Sequence, residues 1–145
     1  MQRVILSLFM LLVSNLVWGQ TSFDHMAIVV NDLEESKKFY TEVLGFKNIE
    51  DPTGNPLIDW VENENGQQIH MIEGDISGVK LTKSVHYSFS VEALRPFIAN
   101  LENRKVDFES WEGEKSGITI RPDGIRQIYL QDPNGYWIEI NDQQP

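Results

Sequence analysis

Apolar and polar positions along the chain change period in a regular order. FDHMAIVV (23–30) alternates into a continuous apolar run and predicts a strand. Leu33, Ser36, Lys37, Tyr40 and Leu44 then recur at helical spacing, with Phe39 and Val43 widening the apolar face. Asn31 or Asp32 is placed to cap this helix, Glu34 and Glu35 sit in its acidic first turn, and Gly45 stops it. FKNIE, LIDWVEN and QQIHMIE follow as three strands, separated by DPTGNP and by the hairpin turn ENG. After the turn-rich link GDISGVKLTK the order begins again. VHYSFSV predicts a strand and EALRPFIANLENR a helix, with Pro96 tolerable near its start. KVDFES, GITI, IRQIYLQ and YWIEIND predict strands, and Arg121–Gly124 reads as a loop excursion within one hairpin.

This order predicts an α+β fold of two βαβββ modules, about 22–75 and 82–141, forming a cupped mixed sheet with helices on its outer face. The repeat aligns at the level of residues. FDHMAIVVNDLEES matches SVHYSFSVEALRPF at an offset of 61, so His25 falls on His86, Val30 on Val91 and Leu33 on Leu94. Late in each copy QIHMIEG matches WIEINDQ, which sets His70 on Glu139. All three histidines of the chain therefore occupy repeat-related strand positions, joined by one glutamate.

Alternation assigns their faces. His25 shares a face with Ala27 and Val29, His70 with Gln68 and Ile72, His86 with Ser88 and Ser90, and Glu139 with Trp137. The opposite faces are apolar and read as core, Tyr87 and Phe89 among them. Four polar side chains converging inside a curved sheet make a site of three imidazoles and one carboxylate. Such a set suits one divalent ion of zinc, nickel, cobalt, manganese or iron, with two positions left open in an octahedral ion. Each histidine alone reads more readily as a satisfied polar residue than as a ligand. The joint placement carries the metal reading.

Charge and cysteine count narrow the picture. The formal net charge is −10 with no basic patch, which argues against nucleic acid or an anionic membrane surface as partner. There is no cysteine, so packing, not disulfides, must hold the fold. The first residues, MQRVILSLFMLLVSNLVWGQ, place Arg3 before an apolar run from Val4 to Val13 and a small residue at Gly19. A membrane span needs about 20 apolar residues, and this run is shorter. Residues 1–19 read as a signal peptide, with 20–145 the mature domain, exported to the periplasm or secreted and off the membrane after cleavage.

The stretches FDHMAIVVNDLEESKKFYTEVLGFK and IYLQDPNGYWIEI resemble the vicinal-oxygen-chelate superfamily, which includes glyoxalase I, the bleomycin- and fosfomycin-resistance proteins and the ring-cleaving dioxygenases. The resemblance spans residues 22–141 and implies a glyoxalase-like fold. Carried over residue by residue, its ligand positions are His25, His70, His86 and Glu139. Glyoxalase I often has a glutamate where this chain has His70, which leaves Glu139 as the catalytic acid/base among the ligands. The activity implied is a metal-dependent lyase or isomerase acting on a small, vicinally oxygenated substrate, in a chain that forms a homodimer.

Two alternatives stay open. One is a non-enzymatic small-molecule binder of the bleomycin-resistance type. The other is an iron-dependent ring-cleaving dioxygenase using His25, His86 and Glu139, against which a coordinated His70 would count. Arg121, Arg126, Trp60 and Trp137 are candidates for substrate contact, although surface solubility accounts for the arginines as well.

Overall fold

A computed structural model describes residues 22–144; the expected signal peptide lies outside them. The first module runs β1 (His25–Val30), α1 (Leu33–Glu42), β2 (Lys47–Ile49), β3 (Ile58–Glu62) and β4 (Gln68–Glu73). The second runs β5 (His86–Ser90), α2 (Leu94–Arg104), β6 (Phe108–Glu109), β7 (Thr119–Ile120), β8 (Arg126–Gln131) and β9 (Trp137–Asn141). The first sheet has the order β1-β4-β3-β2 and the second β5-β9-β8-β6, with β7 also on β8. In each, the first and last strands of the module pair in parallel and the rest are antiparallel. This is the expected βαβββ repeat.

The helices form where the sequence puts caps and faces. Asp32 accepts the backbone N–H of Glu35 at 2.9 Å and starts α1. Beyond its end, Gly45 takes a φ of 79°, and the N–H of Phe46 returns to the Tyr40 carbonyl at 3.0 Å. α2 has no side-chain cap; it tolerates Pro96 in its first turn and ends on Lys105 in the left-handed region. Alternation turns Ile69, Met71, Ile138 and Ile140 into a core with Val30, Val61, Leu94 and Leu101, all almost fully buried.

A polar seam ties the modules together. The DPNG turn (132–135), which leads into β9, also grips the start of α1. Asn134 accepts the N–H of Asn31 at 2.8 Å and donates to the Ser36 hydroxyl at 2.9 Å. Buried Asp132 accepts the Tyr40 hydroxyl at 3.0 Å, and Tyr40 is in turn hydrogen-bonded to Tyr87 of β5. Phe46 packs edge-on against Phe89. The two sheets are thus joined through α1 and the last turn, so that their opposite, polar faces are left for the site.

The second module departs from the first at one strand position. β6 and β7 both pair with β8, Phe108 opposite Leu130 and Thr119 opposite Gln127. An unbroken strand would have brought residue 111 opposite Gln127. Thr119 stands there instead, so eight residues are extruded. The turn at Arg121–Gly124 then closes the β7–β8 hairpin, with the Arg121 N–H donating to the Ile125 carbonyl at 2.8 Å.

Candidate functional site

The register confirms the repeat at the site. Ala27 faces His70 across β1–β4, and Ser88 faces Glu139 across β5–β9. Each pair lies two residues beyond a histidine of the first strand. The same registers set Trp60 opposite His70 and Tyr129 opposite Glu139.

The first module contributes a stack of rings. His25 and His70 lie with centroids 4.0 Å apart and planes 15° from parallel, and Trp60 covers the other side of His70 at 3.3 Å. Asp24, an acceptor only, accepts the Nδ1 proton of His25 at 2.7 Å, so that Nε2 is the lone-pair nitrogen of the ring when neutral. His70 is 9% exposed. Burial first, and the charge of neighbouring His25 second, hold its imidazole below the usual histidine range. A neutral ring results, and its buried Nε2 has no hydrogen-bond partner.

The second module contributes a histidine and a carboxylate. His86 Nε2 lies 3.5 Å from a Glu139 carboxylate oxygen. His86 Nδ1 donates to the Lys83 carbonyl at 2.8 Å, so that Nε2 is the lone-pair nitrogen of this ring when neutral. Glu139 is buried but well supplied with donors: Tyr129 at 2.6 Å, Asn141 at 2.9 Å and Ser88 at 3.0 Å. Burial alone would raise its carboxyl. The donors and nearby His86 together outweigh burial and hold it below the ordinary carboxylate range. Tyr129 is pushed upward by burial and by Glu139, so it stays a donor. Gln127 donates to Tyr129 at 2.5 Å, while its own buried carbonyl oxygen is unpartnered.

The four expected donors therefore form two pairs, not one foursome. Among the described residues no three His, Cys, Asp or Glu side chains gather closely enough to hold a metal ion within one chain. The sequence left open whether the four are brought together within one chain or across two; the repeat makes two sheets, and each presents its own half-set. The donors suit a divalent ion all the same. Two imidazoles are oriented by outer partners, a third is neutral with an orphaned nitrogen, and the carboxylate is held ionised.

The other candidates divide. Trp60 lies in the first half-set. Trp137 shares the face of Glu139, with the Lys83 ammonium 4.9 Å above its ring. The arginines are occupied by neighbours: Arg121 pairs with Asp123 at 2.5 Å, and Arg126 with Asp142 through two nitrogens at 2.7 and 2.6 Å. As placed they brace turns and strand ends. Tyr129, Asn141 and Lys83 were not legible as site residues. For Tyr129 the available signal was its place on the same alternating face as Gln127, in the strand hairpinned to that of Glu139.

Comparison with known proteins follows this geometry. The family model for the glyoxalase/bleomycin resistance protein/dioxygenase superfamily matches residues 22–140. An uncharacterized protein of Bacillus subtilis (strain 168), YwbC, is 32% identical over 122 residues, 81% of this chain and 94% of its own length. A protein of Arabidopsis thaliana named Glyoxylase I 4 is 30% identical over 128 residues, 83% of this chain and 70% of its own. Among solved structures, a glyoxalase/bleomycin resistance protein/dioxygenase from Alicyclobacillus acidocaldarius superposes with a TM-score of 0.64 at 19% identity, covering 83% of this chain and 90% of that one, a likeness of fold.

Proposed function

This chain belongs to the glyoxalase/bleomycin resistance protein/dioxygenase superfamily, and on that premise we propose that it binds and transforms a small, vicinally oxygenated molecule at a divalent-metal site completed between two copies of the chain. The observation that carries this reading is the pairing itself. His25 with His70, and His86 with Glu139, are two half-sets on separate sheets of one chain. A homodimer that sets the first half of one copy against the second half of the other supplies three imidazoles and one carboxylate, twice over.

His25, His70, His86 and Glu139 would hold a divalent ion, which would supply Lewis-acid polarisation to a substrate offering two neighbouring oxygens. The residues of this chain do the rest. Asp24 and the Lys83 carbonyl hold His25 and His86 in the tautomer with a free Nε2. Ser88, Asn141 and Tyr129 fix the Glu139 carboxylate and keep it ionised. This favours Glu139 as a donor to the cation over Glu139 as a proton carrier, because a carboxylate with a lowered pKa is a weak base. His70 beside His25, with its Nε2 free, favours a four-donor set over the three-donor iron site of a ring-cleaving dioxygenase.

A metal-free binder of the bleomycin-resistance type is the second reading. It is favoured by the lack of any three-donor group among the described residues of one chain and by the rings of Trp60, Trp111 and Trp137 around the half-sets.

Mixing two disabled chains separates these readings. H25A/H70A lacks the first half-set and H86A/E139A lacks the second. Each alone should retain no zinc. Their equimolar mixture, refolded together, should recover one zinc per heterodimer, about half a zinc per dimer on average, because only the heterodimer holds a complete composite site. Zinc retention by neither the mixture nor wild type would instead favour the metal-free binder.

A further inference from the structure

The extruded segment between β6 and β7 is a built structure. The Ser116 N–H donates to the Phe108 carbonyl at 2.8 Å and the Ser110 N–H to the Glu114 carbonyl at 2.9 Å, closing the loop on itself. The Trp111 N–H donates to the Thr119 hydroxyl at 2.7 Å, pinning the loop across its neck. Gly117 is required, since a Cβ there would stand 2.9 Å from the Glu114 carbonyl oxygen. Lys83 staples the loop to the sheet: its ammonium pairs with Glu109 and donates to the carbonyls of Ser110 and Trp111 at 3.0 and 3.2 Å.

The side chain so placed is Trp111. Its ring lies 5.4 Å from that of Tyr129 and 6.3 Å from that of His86, and Tyr129 and His86 meet edge to face at 5.4 Å. Three rings therefore form a corner beside the His86–Glu139 pair. The Tyr129 hydroxyl is spent on Glu139 and His86 Nδ1 on the Lys83 carbonyl. Trp111 is 43% exposed, so much of its surface is left without protein packing. The first module has no counterpart: β2 ends at Ile49, opposite Trp60, where β6 at Glu109 goes on into the loop.

We infer that Trp111 is a specificity-determining residue, and that the corner it makes with Tyr129 and His86 selects ligands carrying a flat aromatic ring next to their paired oxygens. The inference rests on the proposed ligand site at the half-sets and adds the class of molecule. An aromatic ring gains from stacked and edge-on contacts in such a corner in a way that a methyl group does not. Lys83 is a positioning residue that acts through the loop.

Benzohydroxamate and acetohydroxamate test this, since they share one two-oxygen head and differ in a phenyl against a methyl group. Binding is followed by calorimetry with and without zinc, on wild type, W111A, W111F and K83Q, with folding verified by circular dichroism. Wild type should prefer benzohydroxamate by about tenfold or more. W111A should lose about tenfold in affinity for it with acetohydroxamate unchanged, W111F should keep most of the preference, and K83Q should fall between. A wild type without phenyl preference, or a W111A that weakens both probes equally or neither, overturns the inference. If zinc strengthens neither probe while the phenyl preference still follows Trp111, the inference stands and the metal reading falls.

Discussion

His70 and Glu139 occupy the same place in two copies of one sheet, each opposite the residue two beyond a histidine of the first strand, yet their surroundings drive them to opposite charge states. Burial against His25 and Trp60 keeps His70 neutral, while three donors keep Glu139 anionic. A neutral donor and an anionic donor at pseudo-equivalent positions make the two half-sites chemically unequal.

Stability of the metal-free protein should reflect His70. Its pKa is lowered on folding, so the unfolded chain takes up the proton more readily than the folded one. The stabilising effect is complete above the ordinary histidine value of 6.5 and is lost as pH falls below it. Melting temperature in chelator should drop between about pH 7.5 and about pH 5.5, and H70N should flatten that drop. An unchanged slope in H70N would refute the assignment.

Glu139 and Tyr129 should differ in how they hold zinc. E139Q removes the anionic donor and should weaken retention severely. Y129F leaves the ligand set whole but removes a hydrogen bond that orients it, and should cost about 10- to 100-fold. Competition with a chromophoric chelator reads both. Equal retention in wild type and E139Q would count against any role for this carboxylate in metal binding.

Asp132 should act on stability with the opposite sign to His70. Burial raises its carboxyl despite its hydrogen bonds. Its contribution is therefore fully present below the unfolded carboxyl value and declines as pH rises through the higher folded one. D132N should remove that decline and be tolerated. D132A should cost about 1–3 kcal/mol for each group it leaves unpaired, because the N–H groups of Asn134 and Tyr136 lose their acceptor and Tyr40 keeps only its bond to Tyr87. Chemical denaturation at two pH values distinguishes the variants.

Export of the chain is tested directly by mass. Protein expressed with residues 1–19 in a bacterial host should appear outside the cytoplasm, beginning at Gln20. Intact mass spectrometry that finds Met1 retained on protein from the cytoplasm would oppose the signal-peptide reading.

What the sequence by itself determined was the part governed by local period. Alternation put His25, His70, His86 and Glu139 on faces opposite the core, and the offset between copies made them equivalent, because side-chain direction in a strand has a period of two and needs no knowledge of the partner strand. Helix caps at Asp32 and Gly45 were legible for the same local reason. Tertiary structure alone decided which of the four stand together. Whether two half-sheets close on each other within a chain depends on inter-module packing, here the buried Tyr40–Asp132 seam, and no alternation records that. Nor does it record that Arg121 and Arg126 are taken up by Asp123 and Asp142, that Tyr129 reaches Glu139, or that the eight extruded residues set Trp111 beside His86. Those contacts join residues by register and loop closure across distant parts of the chain, and their partners are chosen only once the strands are in place.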